Sequence, residues 1–215
     1  MSENFPHITD PVLREYCVKY SSQPNTLFKE ARESSEATGK IKLISDHFLG
    51  QYLRMMSKVL APKNILEVGT FTGYGTLSLL EGIQPDGVIY TLEKSDEWLT
   101  YSKRNFAQSP KKHQIKQVMG DAAELISTID LTWDLVFIDA AKKQYINNLE
   151  LVLPKVRKGG VILADNVLWK GKVGHPDNDK LGTALDKFNK YVFEHESLEN
   201  IILPIDDGLN FIIKS

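Results

Sequence analysis

The chain has 215 residues, 42% of them hydrophobic and 25% charged, which suits a folded α/β protein that can bury most of its apolar surface without covalent staples. Its formal net charge of −2 gives no basic footprint for a polyanion, and its single cysteine, Cys17, excludes an internal disulfide framework or a cysteine-cluster metal site. No apolar run approaches the roughly 20 residues of a membrane span and Met1 to Asp10 does not resemble a signal peptide, so we expect a cytoplasmic protein that acts on a small molecule rather than on nucleic acid or a membrane.

In chain order, Asp10-Pro11 starts a helix through Leu13, Tyr16 and Cys17, with Asp10 as N-cap and Pro11 in the first helical position. A second helix runs from about Asn25 to Thr38 and closes at Gly39. Its face is rich in Glu, Arg and Ser, so residues 1–44 read as a helical cap on one domain spanning 1–215. Ser45 caps a third helix, on which Phe48, Leu49, Tyr52, Leu53, Met56, Val59 and Leu60 recur at helical spacing. The apolar run from Ile65 to Val68 then reads as a buried strand, broken by glycines before Leu77, Leu79 and Leu80 begin another helix.

From there the pattern alternates. Strand-like runs at Val88–Leu92, Ile115–Met119, Leu135–Ile138 and Val161–Ala164 are separated by helical patterns near Ser95–Gln108, Ala122–Thr128 and Lys142–Leu153. Such alternation implies a parallel sheet with helices on both faces. Ile201–Ile205 and Leu209–Ile213, joined by Asp206-Asp207-Gly208, form a hairpin, so seven strands are expected with the last antiparallel to its neighbour.

The strand, glycine turn and helix around Gly69 and Gly73 make a nucleotide cradle, in which the glycines let the backbone approach a ligand and the helix start offers free N–H groups. The spacing is not G-x-G-x-x-G, and Glu67 at the strand end would repel a pyrophosphate while favouring a cationic group, which points to S-adenosylmethionine. Ligands of open parallel sheets bind beyond the carboxyl ends of the strands, and here those ends are acidic: Glu67, Glu93, Asp121, Asp139 and Asp165. Glu93, twenty positions past Gly73, sits where a carboxylate accepts ribose hydroxyls, and Asp121 with the backbone of Ala122 suits an adenine amine. Asp139, Asp165 and Asn166 form an all-oxygen set on neighbouring strands, suited to Mg²⁺, Ca²⁺ or Mn²⁺ and not to Zn²⁺. Lys142 lies at a helix start beside that set, where the helix dipole and a divalent cation would both lower its pKa and make it a general base. A nicotinamide-dependent oxidoreductase and a non-catalytic adenosine-binding protein remain open on these residues alone.

Ser45 with Gly50-Gln51-Tyr52-Leu53, the run Leu66 to Tyr74, Phe137 to Lys142 with Tyr145, Gly159-Gly160-Val161, Asp165 to Trp169 and Asp207-Gly208 together resemble the cation-dependent catechol-type O-methyltransferases, which include the caffeoyl-CoA O-methyltransferases. The resemblance implies a Rossmann-like fold and a homodimer. It implies metal ligation by Asp139, Asp165 and Asn166, and a cofactor site formed by Ser45, Glu67, Gly69, Thr70, Gly75, Glu93, Ala122 and Asp139. It further places Trp169, Lys170 and Asp207 at a catechol-type acceptor. Three positions depart from the plant enzymes: Ala141 replaces a cofactor-contacting aspartate, Gly75 a serine, and Lys170 a substrate-contacting asparagine; Lys170 favours an anionic acceptor, and the resemblance does not assign caffeoyl-CoA as the substrate.

Overall fold

A computed structural model describes residues 11–40 and 47–215. The chain order is α1 (Pro11–Lys19), α2 (Thr26–Glu36), α3 (His47–Leu60), β1 (Asn64–Val68), α4 (Tyr74–Leu80), β2 (Val88–Glu93), α5 (Leu99–Ala107), β3 (Ile115–Met119), α6 (Ala122–Thr128), β4 (Trp133–Ile138), α7 (Tyr145–Val152), β5 (Val156–Asp165), α8 (Lys180–Glu194), β6 (Leu198–Leu203) and β7 (Leu209–Lys214). The seven strands make one sheet in the order β3-β2-β1-β4-β5-β7-β6. The first five are parallel, and β7 runs antiparallel to both β5 and β6.

Strand alternation divides the core between the two faces. Leu66 and Val68 of β1 point into a cluster shared with Tyr145, Leu149, Leu185 and Phe188 of α7 and α8, whereas Ile65 points to Phe28, Leu53 and Leu77 of α2, α3 and α4. Both faces are covered, so the central strands are buried along their length, which explains their almost unbroken apolar runs.

Four expectations change on contact with the structure. The second helix is more than an outer cap: Asn25 accepts the amide of Phe28 at its start, and Phe28, Ala31 and Ser35 are buried against the sheet side of the molecule. Only α1 among these first elements has no buried residue, and Arg14 ties it to Asp206 at 2.9 Å. On α3, Val59 is 75% exposed, because the buried line runs through Leu49, Gly50, Leu53 and Ser57 instead. The largest omission is α8, fifteen residues long, whose N-terminus is capped by Asp179 accepting from Leu181 and Gly182. Strand β5 begins at Val156 rather than at Val161, and Gly160 is inside it because a side chain there would meet Val156.

Candidate active site

Strand order reverses between β1 and β4, which lie side by side although β2 and β3 separate them in the chain. A crevice at such a reversal is where an open α/β sheet receives ligands. Backbone bonds extend the ladder just past the strands there, from Gly69 N to Leu92 O at 2.9 Å and from Asp139 N to Val68 O at 2.9 Å. The two strand exits are in tight contact, since a Cβ on Gly69 (φ +103°) would lie 2.1 Å from the Asp139 carbonyl oxygen.

The glycines of the turn therefore answer to the protein before any ligand. A Cβ on Gly73 would strike the Phe106 ring at 2.2 Å, and one on Gly75 would sit 2.6 Å from the carboxyl oxygen of Glu67. Between Gly69 and Gly73, Phe71 adopts φ +49°, so left-handed residues turn the amides of Thr70 and Phe71 towards one point. Glu93 occupies that point: its Oε2 accepts from Thr70 N at 3.2 Å and Phe71 N at 2.8 Å, while Oε1 accepts from Ser95 N at 2.8 Å. In the free protein the expected ribose acceptor is thus a brace for the loop. Thr72 is held from behind, its hydroxyl 2.5 Å from that of Ser35 and its carbonyl accepting from Asn105 at 2.9 Å.

Glu67 differs most from its expected setting. Rather than standing open at the strand end, it is 1% exposed under the first turn of α4, accepting from the hydroxyls of Thr76 and, at 2.6 Å, Thr91. Burial drives its pKa to about 8; the two threonines pull the other way, and the charges of Asp139 and Glu93 push further up. Thr70 is buried beside it, with its hydroxyl 2.5 Å from Thr91. Asp121 is committed as N-cap of α6, accepting from Ala123 N at 2.9 Å, and pairs with Lys94 at 2.7 Å, which holds its carboxyl below the usual range. Ala122 opens α6 at the outer side of this crevice. Ser45 and Asp10 lie outside the described residues.

Across the crevice, register pairs Ile138 with Ala164, so Asp139 and Asp165 follow on neighbouring strands as expected. Asp165 is 2% exposed. Burial raises its pKa well above the ordinary value, the charges of Asp139 and Asp206 add to this, and Lys142 opposes it. Asn166, at φ +58°, gives its backbone N–H to Asp165 at 2.7 Å, and its side-chain amide forms no hydrogen bond among the described residues. Lys142 donates to Asp139 Oδ1 at 2.9 Å and to Tyr145 Oη at 2.7 Å. Its pKa is raised, not lowered: burial favours the neutral amine, but Tyr145 and the carboxylates of Asp139 and Asp165 outweigh burial. Those acids, rather than the helix start, dominate its surroundings.

Trp169 and Lys170 also have left-handed backbones, at φ +46° and +58°. The Trp169 indole donates to both carboxyl oxygens of Asp179, at 2.9 and 3.0 Å, which fixes its plane. The Lys170 amide donates to Asp207, and its ammonium lies 5.4 Å from the Trp169 ring centre. Asp207 is pushed up to about 6, chiefly by burial. Backbone bonds from Val167 to Gly208 at 3.0 Å and from Leu168 to Asp207 at 2.9 Å join the two loops into one wall. Thr76, Thr91, Asn105 and Asp179 had no assigned role; of these, only Asp179 offered a sequence signal, as a cap before an apolar helix face.

Residues 18–215 match the O-methyltransferase family. The chain is 28% identical over 195 residues to the caffeoyl-CoA O-methyltransferase of Stellaria longipes, covering 85% of this chain and 81% of the relative. It is also 28% identical over 173 residues to the flavonoid 3′,5′-methyltransferase of Vitis vinifera, covering 74% of each. Its fold resembles that of the SAH-bound Podospora anserina methyltransferase PaMTH1, with a TM-score of 0.88, 27% identity, and coverage of 95% of this chain and 94% of the other. The O-methyltransferase TomG of Streptomyces achromogenes, in complex with SAM, shares the fold with a TM-score of 0.85 at 22% identity, over 95% of this chain and 96% of the other.

Proposed function

This chain belongs to the O-methyltransferase family, and from that premise we propose that it transfers a methyl group from S-adenosylmethionine to one hydroxyl of a vicinal diphenol, with a divalent cation held by Asp139, Asp165 and Asn166. The observation that carries the cation is the buried Asp165 in register beside Asp139, with the Asn166 amide uncommitted next to them. Two adjoining carboxyls and an amide oxygen suit a hard cation, most simply Mg²⁺. Such an ion would supply Lewis acidity, lowering the pKa of a bound hydroxyl.

The chain's own residues account for the remainder of the reading. The left-handed turn from Gly69 to Gly73 presents backbone amides, and Glu67 offers a buried carboxyl that a cationic amine would help to ionise. The wall of Trp169, Lys170 and Asp207 flanks the acceptor, and Lys170 adds positive charge there. Lys142 is the amine we assign to take the hydroxyl proton; as the neutral amine it would carry that proton away as an ammonium beside Asp139 and Tyr145. Support for the cofactor and acceptor class comes from the SAH-bound neighbour and from the flavonoid and caffeoyl-CoA relatives.

The test pairs activity with binding. Asp165→Ala should lose catechol methylation at ordinary Mg²⁺ levels yet bind S-adenosylhomocysteine with near wild-type affinity in calorimetry. Full-rate methylation by EDTA-treated wild type would falsify the role of the cation.

A further inference from the structure

Resting on that reading of Lys142 as base, we infer that Tyr145 is its positioning residue and holds the lysine nitrogen through a contact independent of Asp139. Tyr145 opens α7 and is fully buried. Its ring meets Phe188 of α8 edge-on, at 5.3 Å and 80°, so the ring is held in place by packing. The hydroxyl reaches two partners: it donates to the Asp165 carbonyl oxygen at 2.9 Å and accepts from Lys142 Nζ at 2.7 Å.

The chemistry of those partners fixes the arrangement. A phenol has one proton, and a carbonyl can only accept, so the Tyr145 proton goes to Asp165 and a lone pair faces the lysine. An ammonium donates to that lone pair. The other partner, Asp139 Oδ1 at 2.9 Å, is a carboxylate whose charge anything cationic at this edge would share. Tyr145 is neutral and enclosed, so it does not compete for such a charge. Lysine has four rotatable side-chain bonds and is costly to hold still, which gives a second contact its value. The same hydroxyl also ties the start of α7 to the end of β5, setting the lysine against the strand end that carries Asp165.

Tyr145→Phe keeps the ring and its packing and removes only the hydroxyl. We expect kcat for a catechol to fall about 10-fold to 100-fold, the scale set by misplacing a reacting group by about an ångström, with acceptor KM and S-adenosylhomocysteine affinity changed less than about twofold. In a Lys142→Met background the same substitution should cost nothing further. Phe188→Leu, which frees the ring but leaves the hydroxyl, should give a smaller loss of kcat that also vanishes in that background. A crystal structure of Tyr145→Phe should show Lys142 Nζ displaced. Wild-type kcat in Tyr145→Phe, an equal loss with and without Lys142, or an unmoved Nζ would each overturn the inference. If wild type methylates no diphenol, the reading of the reaction fails, and the position of Nζ in the variant still decides whether Tyr145 holds it.

Discussion

Glu67 is a buried acid with hydroxyl partners, so its proton responds to whatever charge arrives beside it. With a pKa near 8 against 4.5 when unfolded, the folded protein binds the extra proton between those values, and stability therefore falls as pH rises from about 4.5 to 8. Glu67→Gln should flatten that slope in thermal melts of the ligand-free protein. If Glu67 faces the methionine amine, wild-type affinity for S-adenosylhomocysteine should rise between pH 6 and 8 as the proton leaves, and calorimetry on Glu67→Gln should show no such rise. Glu93 makes a different prediction, because its carboxylate already carries three backbone amides. Glu93→Ala should cost about 1–3 kcal/mol of cofactor affinity and also speed amide exchange at Thr70 and Phe71. Unaltered binding and exchange together would remove Glu93 from the site. Reading strand ends located these acids correctly along the chain. It could not tell that Glu67 lies under α4 while Asp139 borders the crevice, because which face a residue takes depends on the helices that later cover the sheet.

At the level of elements, most boundaries were legible because cap residues and apolar periodicity agree, as at Asn25 before α2 and Asp121 before α6. Helix α8 shows where legibility failed. Leu181, Leu185, Phe188 and Val192 recur at helical spacing, but the glycine-rich stretch before them draws attention to a loop. Gly159-Gly160 suggests a turn, and in the structure they lie in an irregular stretch of β5, where the register against β4 jumps from Trp133 opposite Val156 to Leu135 opposite Val161. Some helix ends are closed by distant lysines, a device that no local pattern reveals. Lys155 reaches the carbonyls of Ile126, Ser127 and Ile129 at 2.8, 3.0 and 2.7 Å, putting a cation on the negative end of α6. Lys111 does the same for Leu80 and Glu81 beyond α4, at 3.1 and 2.8 Å. Lys155→Met keeps the stem's packing and should destabilise the fold by about 1–2 kcal/mol in denaturant titration. Helix α1 has no buried residue and is tied to the last hairpin by Arg14 and Asp206 at 2.9 Å, so Asp206→Asn should speed tryptic cleavage after Lys19 without changing the melting temperature of the sheet.

For the molecule as a whole, exposed apolar side chains lie on the outer helices: Leu13 and Tyr16 on α1 with Tyr20 just beyond its end, Met55 and Val59 on α3, and Phe193 on α8. The resemblance implies a homodimer, and a second copy covering one of these faces should give a sedimentation mass twice the 24.3 kDa of one chain. No helix among the described residues is long and apolar enough to cross a membrane. The contact between Gly69 and the Asp139 carbonyl has a consequence for how such an enzyme could diversify. On the proposed function, the donor and acceptor sites share that contact as one hinge pin, and neither backbone can be redrawn without displacing the other. New acceptors must therefore be won by altering the outlying wall at Trp169, Lys170 and Asp207, and a lineage of these proteins would keep its crevice frozen while its rim drifts.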